Sequence, residues 1–284
     1  MDALQRVSAA LAQAPAVLLG GGAGLSAAAG IDYSGEGFRR AFADYIARYG
    51  FTDLYTSGFY PFPTEEEHWA RWARHVDYAA LRPPVMPLYR QLYRLVADRE
   101  YFVITTNVDA QFEKAGFAPE RLFAVQGDYR EMQCARACHQ KVYSNLEAVQ
   151  KILAATRDLT VPPACVPRCP VCGGTMEMHL RVDETFIEDE AWHLAARRYA
   201  AFLRTYGAGS IVLLEMGVGF NTPTIIRFTF EELTLANPKA LLVRLNTEPT
   251  PPRLPIRSRT VNIEAPMPEV VDALLAEKRK HDAV

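Results

Sequence analysis

The sequence predicts an α/β protein in which a mostly parallel sheet is interrupted by two inserted segments. Short apolar runs typical of buried strands alternate with stretches of helical periodicity along most of the chain. An aromatic-rich stretch, broken by glycine and proline, separates the first strand from the second. All five cysteines fall between Cys134 and Cys172, which indicates a small module of its own.

Composition narrows the function classes before any motif is considered. The 284 residues are 49% hydrophobic and 23% charged, as in ordinary soluble globular proteins. A net charge of −2 gives no basic surface for nucleic acid. No apolar run approaches the roughly 20 residues that cross a bilayer, and the first fifteen residues resemble an amphipathic helix more than a signal peptide. We therefore expect no nucleic acid or membrane partner and a cytoplasmic location.

A glycine-rich turn follows the first predicted strand. Residues 16–19 form a short apolar run, four glycines occupy positions 20–24, and residues 25–29 begin a helix. Glycine allows backbone N–H groups to approach a ligand closely, and a helix N-terminus carries partial positive charge. This combination predicts a pyrophosphate-binding turn.

The remaining elements alternate in the order expected for parallel strands. Strands are predicted at residues 101–105, 123–126, 210–216, 240–245 and 260–263, and helices at residues 87–98, 190–206 and 268–280. Polar residues follow two of these strands directly, namely Thr106 to Asp109 and Asn246 to Thr247. Open α/β sheets bind ligands at this edge. Residues 38–81 are expected to form short helices as a lid, with most of their aromatic rings in the core.

The cysteine-containing stretch predicts a structural zinc site. It is rich in proline, and we expect little periodic structure within residues 130–183. The predicted ligands are Cys134, Cys138, Cys169 and Cys172. Two pairs of thiolates suit tetrahedral zinc, and a closed four-thiolate site stabilises a fold without performing chemistry. The alternative to a zinc site is that some of these are ordinary buried cysteines. If zinc binds, Cys165 is an alternative to one of the four cysteine ligands. His139 and His179 are also near enough in sequence to replace a ligand.

Four segments, taken in order, resemble the sirtuins. The segment Gly22-Ala-Gly-Leu-Ser26 with Gly30-Ile31 is similar to the Gly-Ala-Gly-x-Ser and Gly-Ile patterns of that family. Thr106-Asn107-Val108-Asp109 resembles its Gln-Asn-Ile-Asp, and Gln126-Gly127 occupies the place of its His-Gly. Gly217-Val-Gly219 and Asn246 resemble its later cofactor loops. The resemblance implies an NAD-consuming enzyme with a Rossmann-like domain (residues 1–37, 82–130 and 184–284), a lid (residues 38–81) and a zinc module (residues 131–183).

The departures from the family pattern point to one branch of it. Gln126 stands where the family has its catalytic histidine, Asp32-Tyr33-Ser34 replaces Pro-Asp-Phe-Arg, and Gly217-Val218-Gly219 replaces Gly-Thr-Ser. These features are similar to the class M, macrodomain-associated sirtuins. The resemblance implies a protein mono-ADP-ribosyltransferase whose acceptor is a lipoylated carrier of the glycine-cleavage H type, and it suggests a macrodomain hydrolase as a further partner.

The same resemblance supplies the candidate site residues. Asn107 is expected to contact the ribose or a positioned water, Asp109 the departing carboxamide, and Gln126 the ribose hydroxyls. Arg181 is expected to steer an acidic acceptor or a lipoyl carboxylate, with a structural ion pair as the alternative. Asn107 and Asp109 have a helix-capping alternative. The predicted cofactor-binding set is Gly22, Ala23, Gly24, Ser26, Ile31, Asp32, Tyr33, Thr106, Asn107, Asp109, Gln126, Gly217, Gly219, Asn221, Asn246 and Thr247.

Chemistry also favours transfer over deacylation. Sirtuin deacylation needs a base that takes a ribose proton, which histidine does near neutral pH and the Gln126 amide does not. Release of nicotinamide needs only an oriented cofactor and polar groups around the developing positive charge. Two alternatives stay open, a lysine deacylase that uses Gln126 through a relay and a catalytically silent NAD-sensing module. A redox role is disfavoured, because the acidic residue expected after a second strand is missing.

Overall fold

The structure is a computed structural model that describes residues 2–220, 222–248 and 250–282, with two sheets and helices on both faces of the larger one. The strands are β1 Ala16–Gly21, β2 Glu100–Thr105, β3 Leu122–Ala124, β4 Gly127–Cys134, β5 Tyr143–Ser144, β6 Met176–Leu180, β7 Ile211–Met216, β8 Ala240–Leu245 and β9 Thr260–Ile263. The α-helices are α1 Ala3–Gln13, α2 Ala23–Ala29, α3 Glu36–Ala41, α4 Ala43–Tyr49, α5 Glu65–Val76, α6 Pro87–Val96, α7 Gln111–Lys114, α8 Leu146–Ala155, α9 Glu190–Tyr206, α10 Arg227–Ala236 and α11 Met267–Asp282.

The larger sheet is parallel and has the strand order β3-β2-β1-β7-β8-β9. All residues of β1 and β7 are buried, because helices cover both faces of the sheet. One face packs against α1, α2, α6 and α11, and the other against α9 and α10. The order of strands reverses between β1 and β7, and such a reversal opens a crevice at the carboxyl ends of the strands.

Local signals in the sequence account for several helix boundaries. Asp2 and Gln5 form a capping box at the start of α1, and the Asp189 carboxylate accepts the Trp192 N–H at the start of α9. Helix α2 ends at Gly30, whose φ of 116° favours glycine. Among the described residues, no helix combines the length and apolar character that crossing a membrane requires.

The structure corrects two predicted boundaries. Strand β1 continues through Gly20 and Gly21, so the glycine-rich turn is shorter than expected and α2 begins at Ala23. A Cβ on Gly20 would lie 2.5 Å from the Ile226 side chain, so this glycine is required by packing. The strand predicted at residues 123–126 ends at Ala124, and Gln126 lies in the turn before β4.

The cysteine-containing stretch is more regular than expected. Strands β5, β4 and β6 form a three-stranded antiparallel sheet, and α8 packs beside it. The expectation of little periodic structure was wrong, because Val149 and Ile152 provide a short apolar face on α8. That face shares one core with Trp69 of α5, so the end of the predicted lid packs on this module.

Most aromatic rings of the lid segment lie in the core, as expected. Phe38, Phe42, Tyr45 and Phe51 are buried in one cluster. Tyr55 and Phe59 differ, since they are 61% and 56% exposed at the two ends of a short 3₁₀ helix, Thr56–Phe59. Helix α5 continues directly into a π-helix, Asp77–Leu81.

Candidate functional site

The predicted ligand loops meet at the carboxyl edge of the parallel sheet. The Gly22 N–H donates to the Met216 carbonyl at 3.0 Å, which joins the turn after β1 to the end of β7. The Thr106 N–H donates to the Gly21 carbonyl at 3.0 Å, which joins the loop after β2 to the same turn. Three loops that are far apart in sequence therefore form one side of a crevice.

The glycines of this edge serve first to bring two loops together. The Gly24 N–H donates to the Gly217 carbonyl at 2.9 Å, and a Cβ on Gly22 would lie 2.7 Å from that same oxygen. Gly217 has a φ of 58°, and a Cβ there would lie 2.1 Å from the Leu25 nitrogen. The N–H groups of Gly22 and Gly24 are thus engaged within the protein, and the binding of a cofactor at these two residues stays a prediction. In the described part of the chain, the Ala23 N–H is the donor of this turn with no protein acceptor.

A chain of side-chain hydrogen bonds links Asn107 to Asp109. The Asn107 Nδ2 donates to the Gly22 carbonyl at 3.0 Å and to the Tyr89 hydroxyl at 3.1 Å. The Tyr89 hydroxyl lies 2.9 Å from Ser26 Oγ, which donates to Asp109 Oδ2. An ionised carboxylate only accepts, so Ser26 donates to Asp109 and Tyr89 donates to Ser26. Both Asn107 N–H groups are then engaged, and its Oδ1 is the polar atom left for a ligand.

This chain is buried, and burial changes the titration of Asp109. Tyr89 and Ser26 are fully buried, and Asp109 and Asn107 are nearly so. Burial raises the pKa of the Asp109 carboxyl above its ordinary value, although hydrogen bonds from Ser26 and the Gln111 N–H oppose that rise. The Gln111 N–H, at the first residue of α7, donates to Asp109 Oδ1 at 3.0 Å, but the N-cap of α7 is Ala110, which makes no side-chain capping bond. The Asn107 side chain makes no such contact with α7.

The turn that carries Gln126 lies against the Asn107 loop. The Tyr129 N–H donates to the Val108 carbonyl at 2.9 Å, between Asn107 and Asp109. The Arg181 N–H donates to the Gln126 carbonyl at 3.1 Å. Gln126 is half-buried. The structure therefore brings Gln126, in the turn before β4, and Arg181, directly after β6, together beside the loop that carries Asn107.

The Arg181 side chain takes part in an ion pair. Its Nη2 lies 2.5 Å from Glu188 Oε1, and the two side chains are 34% and 36% exposed. Its guanidinium carbon lies 4.3 Å from the centre of the Phe186 ring, which stacks on His179 at 4.4 Å. Arg181 therefore does form the structural ion pair that was the alternative to a role in acceptor binding. Because exposed ion pairs contribute little stability, an acceptor carboxylate could replace Glu188 at small cost.

The segment after α2 serves mainly the fold. The Asp32 carboxylate accepts the N–H groups of Gly35 and Gly37 at the start of α3. Burial raises the pKa of Asp32, but the backbone hydrogen bonds together lower it by more than burial raises it. The pKa of Asp32 therefore lies below its ordinary value. Ile31 is buried. Tyr33 is close to Ser26, and burial raises its pKa. The Ile31 N–H also donates to the Ser26 carbonyl at 3.0 Å.

The other predicted cofactor residues border the crevice or fall outside the description. Gly219 and Thr247 are exposed, and Thr106 and Asn246 are half-buried. A Cβ on Gly219 would meet open space, in contrast to Gly217. Asn221 lies outside the described residues.

The four predicted metal ligands form one cluster. The Sγ atoms of Cys134, Cys138, Cys169 and Cys172 all lie within 4.8 Å of one another. The Cys134–Cys172 and Cys138–Cys169 sulfur pairs are each 3.7 Å apart, and Zn–S bonds of about 2.3 Å place tetrahedral sulfur atoms about 3.8 Å apart. The donor set therefore fits structural zinc. Cys165 is not in the cluster, His139 Nδ1 lies 3.1 Å from a ligand sulfur, and His179 bonds to Glu131 and Ile187.

Two residues of this region were not anticipated from the sequence. Tyr89 occupies an ordinary core position of the amphipathic helix α6, and only the fold shows that its hydroxyl bridges Ser26 and Asn107. Tyr129 follows the Gln126 turn, and its N–H bond to Val108 places it behind the site. Neither residue carries a local sequence signal for these roles.

Curated proteins of three kinds are similar to this chain. A protein ADP-ribosyltransferase of Staphylococcus aureus is 32% identical over 277 residues, which cover 96% of this chain and 86% of that protein. A probable bifunctional ADP-ribose hydrolase/ADP-ribosyltransferase of Fusarium oxysporum f. sp. cubense is 32% identical over 250 residues, 84% of this chain and 41% of that protein. An NAD-dependent protein deacylase of Pseudomonas putida is 27% identical over 221 residues, 77% of this chain and 79% of that protein.

Solved structures show the same fold. A Sir2 mutant in complex with a p53 peptide and NAD superposes with a TM-score of 0.63 and 19% sequence identity, and the match covers 98% of this chain and 99% of that chain. No family model matches the sequence.

Proposed function

This chain belongs to the protein ADP-ribosyltransferases of the sirtuin fold, and we propose that its acceptor supplies an already ionised nucleophile. The enzyme uses NAD as the donor and transfers ADP-ribose to protein. The observation that carries the proposal is the Gln126 turn beside Asn107. An amide stands there, and it cannot take a proton near neutral pH.

We assign the work on the donor to the buried hydrogen-bond chain. Asn107 is held by Gly22 and Tyr89 so that its Oδ1 acceptor remains for the ribose or a positioned water. Asp109 is fixed through its hydrogen bond with Ser26, and we assign to it the binding of the departing carboxamide. A preorganised polar site of this kind stabilises positive charge that develops as nicotinamide leaves.

We assign the work on the acceptor to Gln126 and Arg181. The Gln126 amide orients the ribose hydroxyls without removing a proton. The Arg181 guanidinium, now paired with Glu188 at the surface, draws an acidic acceptor or a lipoyl carboxylate towards the reacting carbon. A carboxylate nucleophile needs no base, because it is ionised at neutral pH.

The acceptor we propose is a lipoylated carrier of the glycine-cleavage H type, on the resemblance of the chain to class M sirtuins. A macrodomain-type hydrolase that removes the modification is the proposed partner. The Fusarium relative, a probable bifunctional ADP-ribose hydrolase/ADP-ribosyltransferase, supports such a pairing. The match with this chain covers 41% of that protein. We also propose a cytoplasmic location, where reduced cysteines hold zinc.

Intact-mass analysis tests this proposal. The enzyme is incubated with NAD and the carrier in its lipoylated and unlipoylated forms, and we expect one added ADP-ribose mass on the lipoylated form alone. Asn107→Ala should abolish that adduct while the variant stays folded, with a lowered Tm because two buried hydrogen bonds are lost. Efficient removal of acyl groups from lysine, with no adduct on any carrier, would contradict the proposal.

Deacylation is the second candidate, and the similarity to the Pseudomonas putida deacylase favours it. Gln126→His separates the two, because it restores a group that can accept a ribose proton. We expect the variant to gain deacylase activity if the missing base is the only obstacle. If wild-type enzyme already deacylates and Gln126→Ala stops it, the relay hypothesis is correct instead. A silent NAD sensor would bind NAD and release no nicotinamide with any acceptor.

A further inference from the structure

Four buried charged side chains form a network behind the loop that follows β7. They are Glu215, Arg227, Glu231 and Arg244. Glu215 Oε1 accepts from Arg227 Nε and Glu215 Oε2 from Arg244 Nε, each at 3.1 Å. Arg244 Nη2 donates to Glu231 Oε1 at 2.6 Å. Two positive and two negative charges therefore balance within the network.

The charges of this network stand in strands that are otherwise apolar. Glu215 and Arg244 lie opposite each other across β7 and β8, and every other residue of these two strands is hydrophobic. Taking two charges out of water is unfavourable, and well-packed apolar residues of similar volume are often at least as stable as a buried ion pair. Stability alone therefore does not account for the network, and the groups that it contacts outside itself become informative.

Arg227 connects the network to the loop after β7. Its Nη2 donates to the Val218 carbonyl, and its guanidinium carbon lies 4.3 Å from the centre of the Phe220 ring. The residue between these two contacts is Gly219, which is exposed, and the Phe220 ring is 68% exposed on the outer side of the arginine. One guanidinium, held in place by Glu215, therefore fixes the loop on both sides of Gly219.

We propose that Arg227 is a positioning residue for NAD, because it holds residues 217–220 in the conformation that receives the cofactor. This inference rests on the predicted cofactor role of Gly217 and Gly219. Arg227 makes no hydrogen bond with the chain from Asn107 to Asp109, so it should stabilise bound NAD and the transition state equally. An interaction of that kind changes the affinity for NAD and leaves kcat unchanged.

Two lysine variants of the full chain test the proposal. Arg227→Lys keeps a positive charge beside Glu215 but loses the planar fork that reaches the Val218 carbonyl at the same time. We expect the Kd for NAD, measured by calorimetry without acceptor, and the KM for NAD to rise about tenfold, with kcat within about twofold of the wild type. Arg244→Lys is the matched control, because Arg244 pairs with the other oxygen of Glu215 and makes no hydrogen bond with the loop.

The control separates positioning from stability. Both variants disturb the same buried network, so Tm should fall in both, whereas the affinity for NAD should fall in Arg227→Lys alone. Equal losses of affinity in the two variants, an affinity that is unchanged in Arg227→Lys, or a lower kcat at unchanged KM overturns the proposal.

Exposed variants keep the test valid if a lysine variant does not fold. Phe220→Leu keeps an apolar side chain but removes the ring that stacks on Arg227, and we expect the Kd for NAD to rise about threefold with Tm near the wild type. Phe220→Trp keeps a ring face for the guanidinium and should retain the affinity. Wild-type affinity in Phe220→Leu, or an equal loss in both Phe220 variants, contradicts the proposal.

A variant of Gly219 tests the assignment on which the inference rests. A Cβ there would meet open space, so Gly219→Phe should fold, and its ring should block NAD if the loop belongs to the cofactor site. If Gly219→Phe binds NAD like the wild type, the cofactor assignment of the loop is wrong and the inference fails with it. If Gly219→Phe blocks NAD but Arg227→Lys binds it normally, the assignment stands and only the role of Arg227 is refuted.

Discussion

Removing one buried hydroxyl should separate the positioning of Asn107 from its chemistry. Tyr89→Phe deletes the oxygen that accepts from Asn107 at 3.1 Å and pairs with Ser26 at 2.9 Å. The ring and its edge contact with Phe112 remain. Each lost bond between neutral groups contributes about 1 kcal/mol, so we expect the free energy of unfolding to fall by about 2 kcal/mol.

The effect on activity follows from what the Asn107 amide retains. One of its N–H groups stays bonded to the Gly22 carbonyl at 3.0 Å, so the amide is loosened but not released. We expect kcat/KM for ADP-ribosyl transfer to fall about tenfold, which corresponds to about 1.4 kcal/mol of transition-state stabilisation. Nicotinamide release in steady state, followed at several NAD concentrations, gives this value, and chemical denaturation gives the stability.

Tyr93→Phe is the matched control for this prediction. Tyr93 lies one turn further along α6, is half-buried and packs its ring on Phe117. Among the described residues its hydroxyl has no hydrogen-bond partner, so stability and transfer should both stay near the wild type. If Tyr89→Phe loses stability but transfers within twofold of the wild type, the orientation of Asn107 does not limit the reaction and the assigned role is wrong.

Three further perturbations have expected outcomes. Chelation of zinc, or Cys134→Ser, should unfold the module and lower Tm, whereas Cys165→Ser should keep a stoichiometric metal content by elemental analysis. Gly217→Ala should cost at least about 2 kcal/mol of stability in denaturant titration, because of its positive φ and the clash with α2, and Gly219→Ala should cost almost nothing. Arg181→Gln should change stability by less than about 0.5 kcal/mol and raise KM for the protein acceptor; an unchanged KM would mean that the surface ion pair is its only role.

Much of the fold and part of the site could be predicted from the sequence because their signals are local. Apolar runs marked the buried strands of the large sheet, and the helix at residues 190–206 had the predicted bounds. The two cysteine pairs gave a ligand set whose sulfur atoms do lie together. The expectation that Gln126 stands where the sirtuin pattern has a histidine comes from the resemblance of the sequence to that family, and it carries the functional proposal.

Other features depended on pairs of groups that are distant in the chain. The hydroxyl of Tyr89 and the charge of Arg227 look ordinary on their helices, because periodicity says which face is buried and not which donor meets which acceptor. The core shared by α5 and α8 also depends on contacts between distant parts of the chain. Each helix has only a short apolar face, and the two faces form a core only when they pack together.

The glycine-rich turn separates what the sequence determines from what only the tertiary structure determines. The sequence by itself determined that backbone must come close to something between Gly22 and Gly24, because glycine removes the Cβ that would prevent it. Only the tertiary structure decided that the close neighbour is Gly217, whose carbonyl takes the Gly24 N–H. A glycine in the sequence indicates that a side chain would not fit at that position. The group that lies against it is determined by the packing of strands that are far apart in the chain.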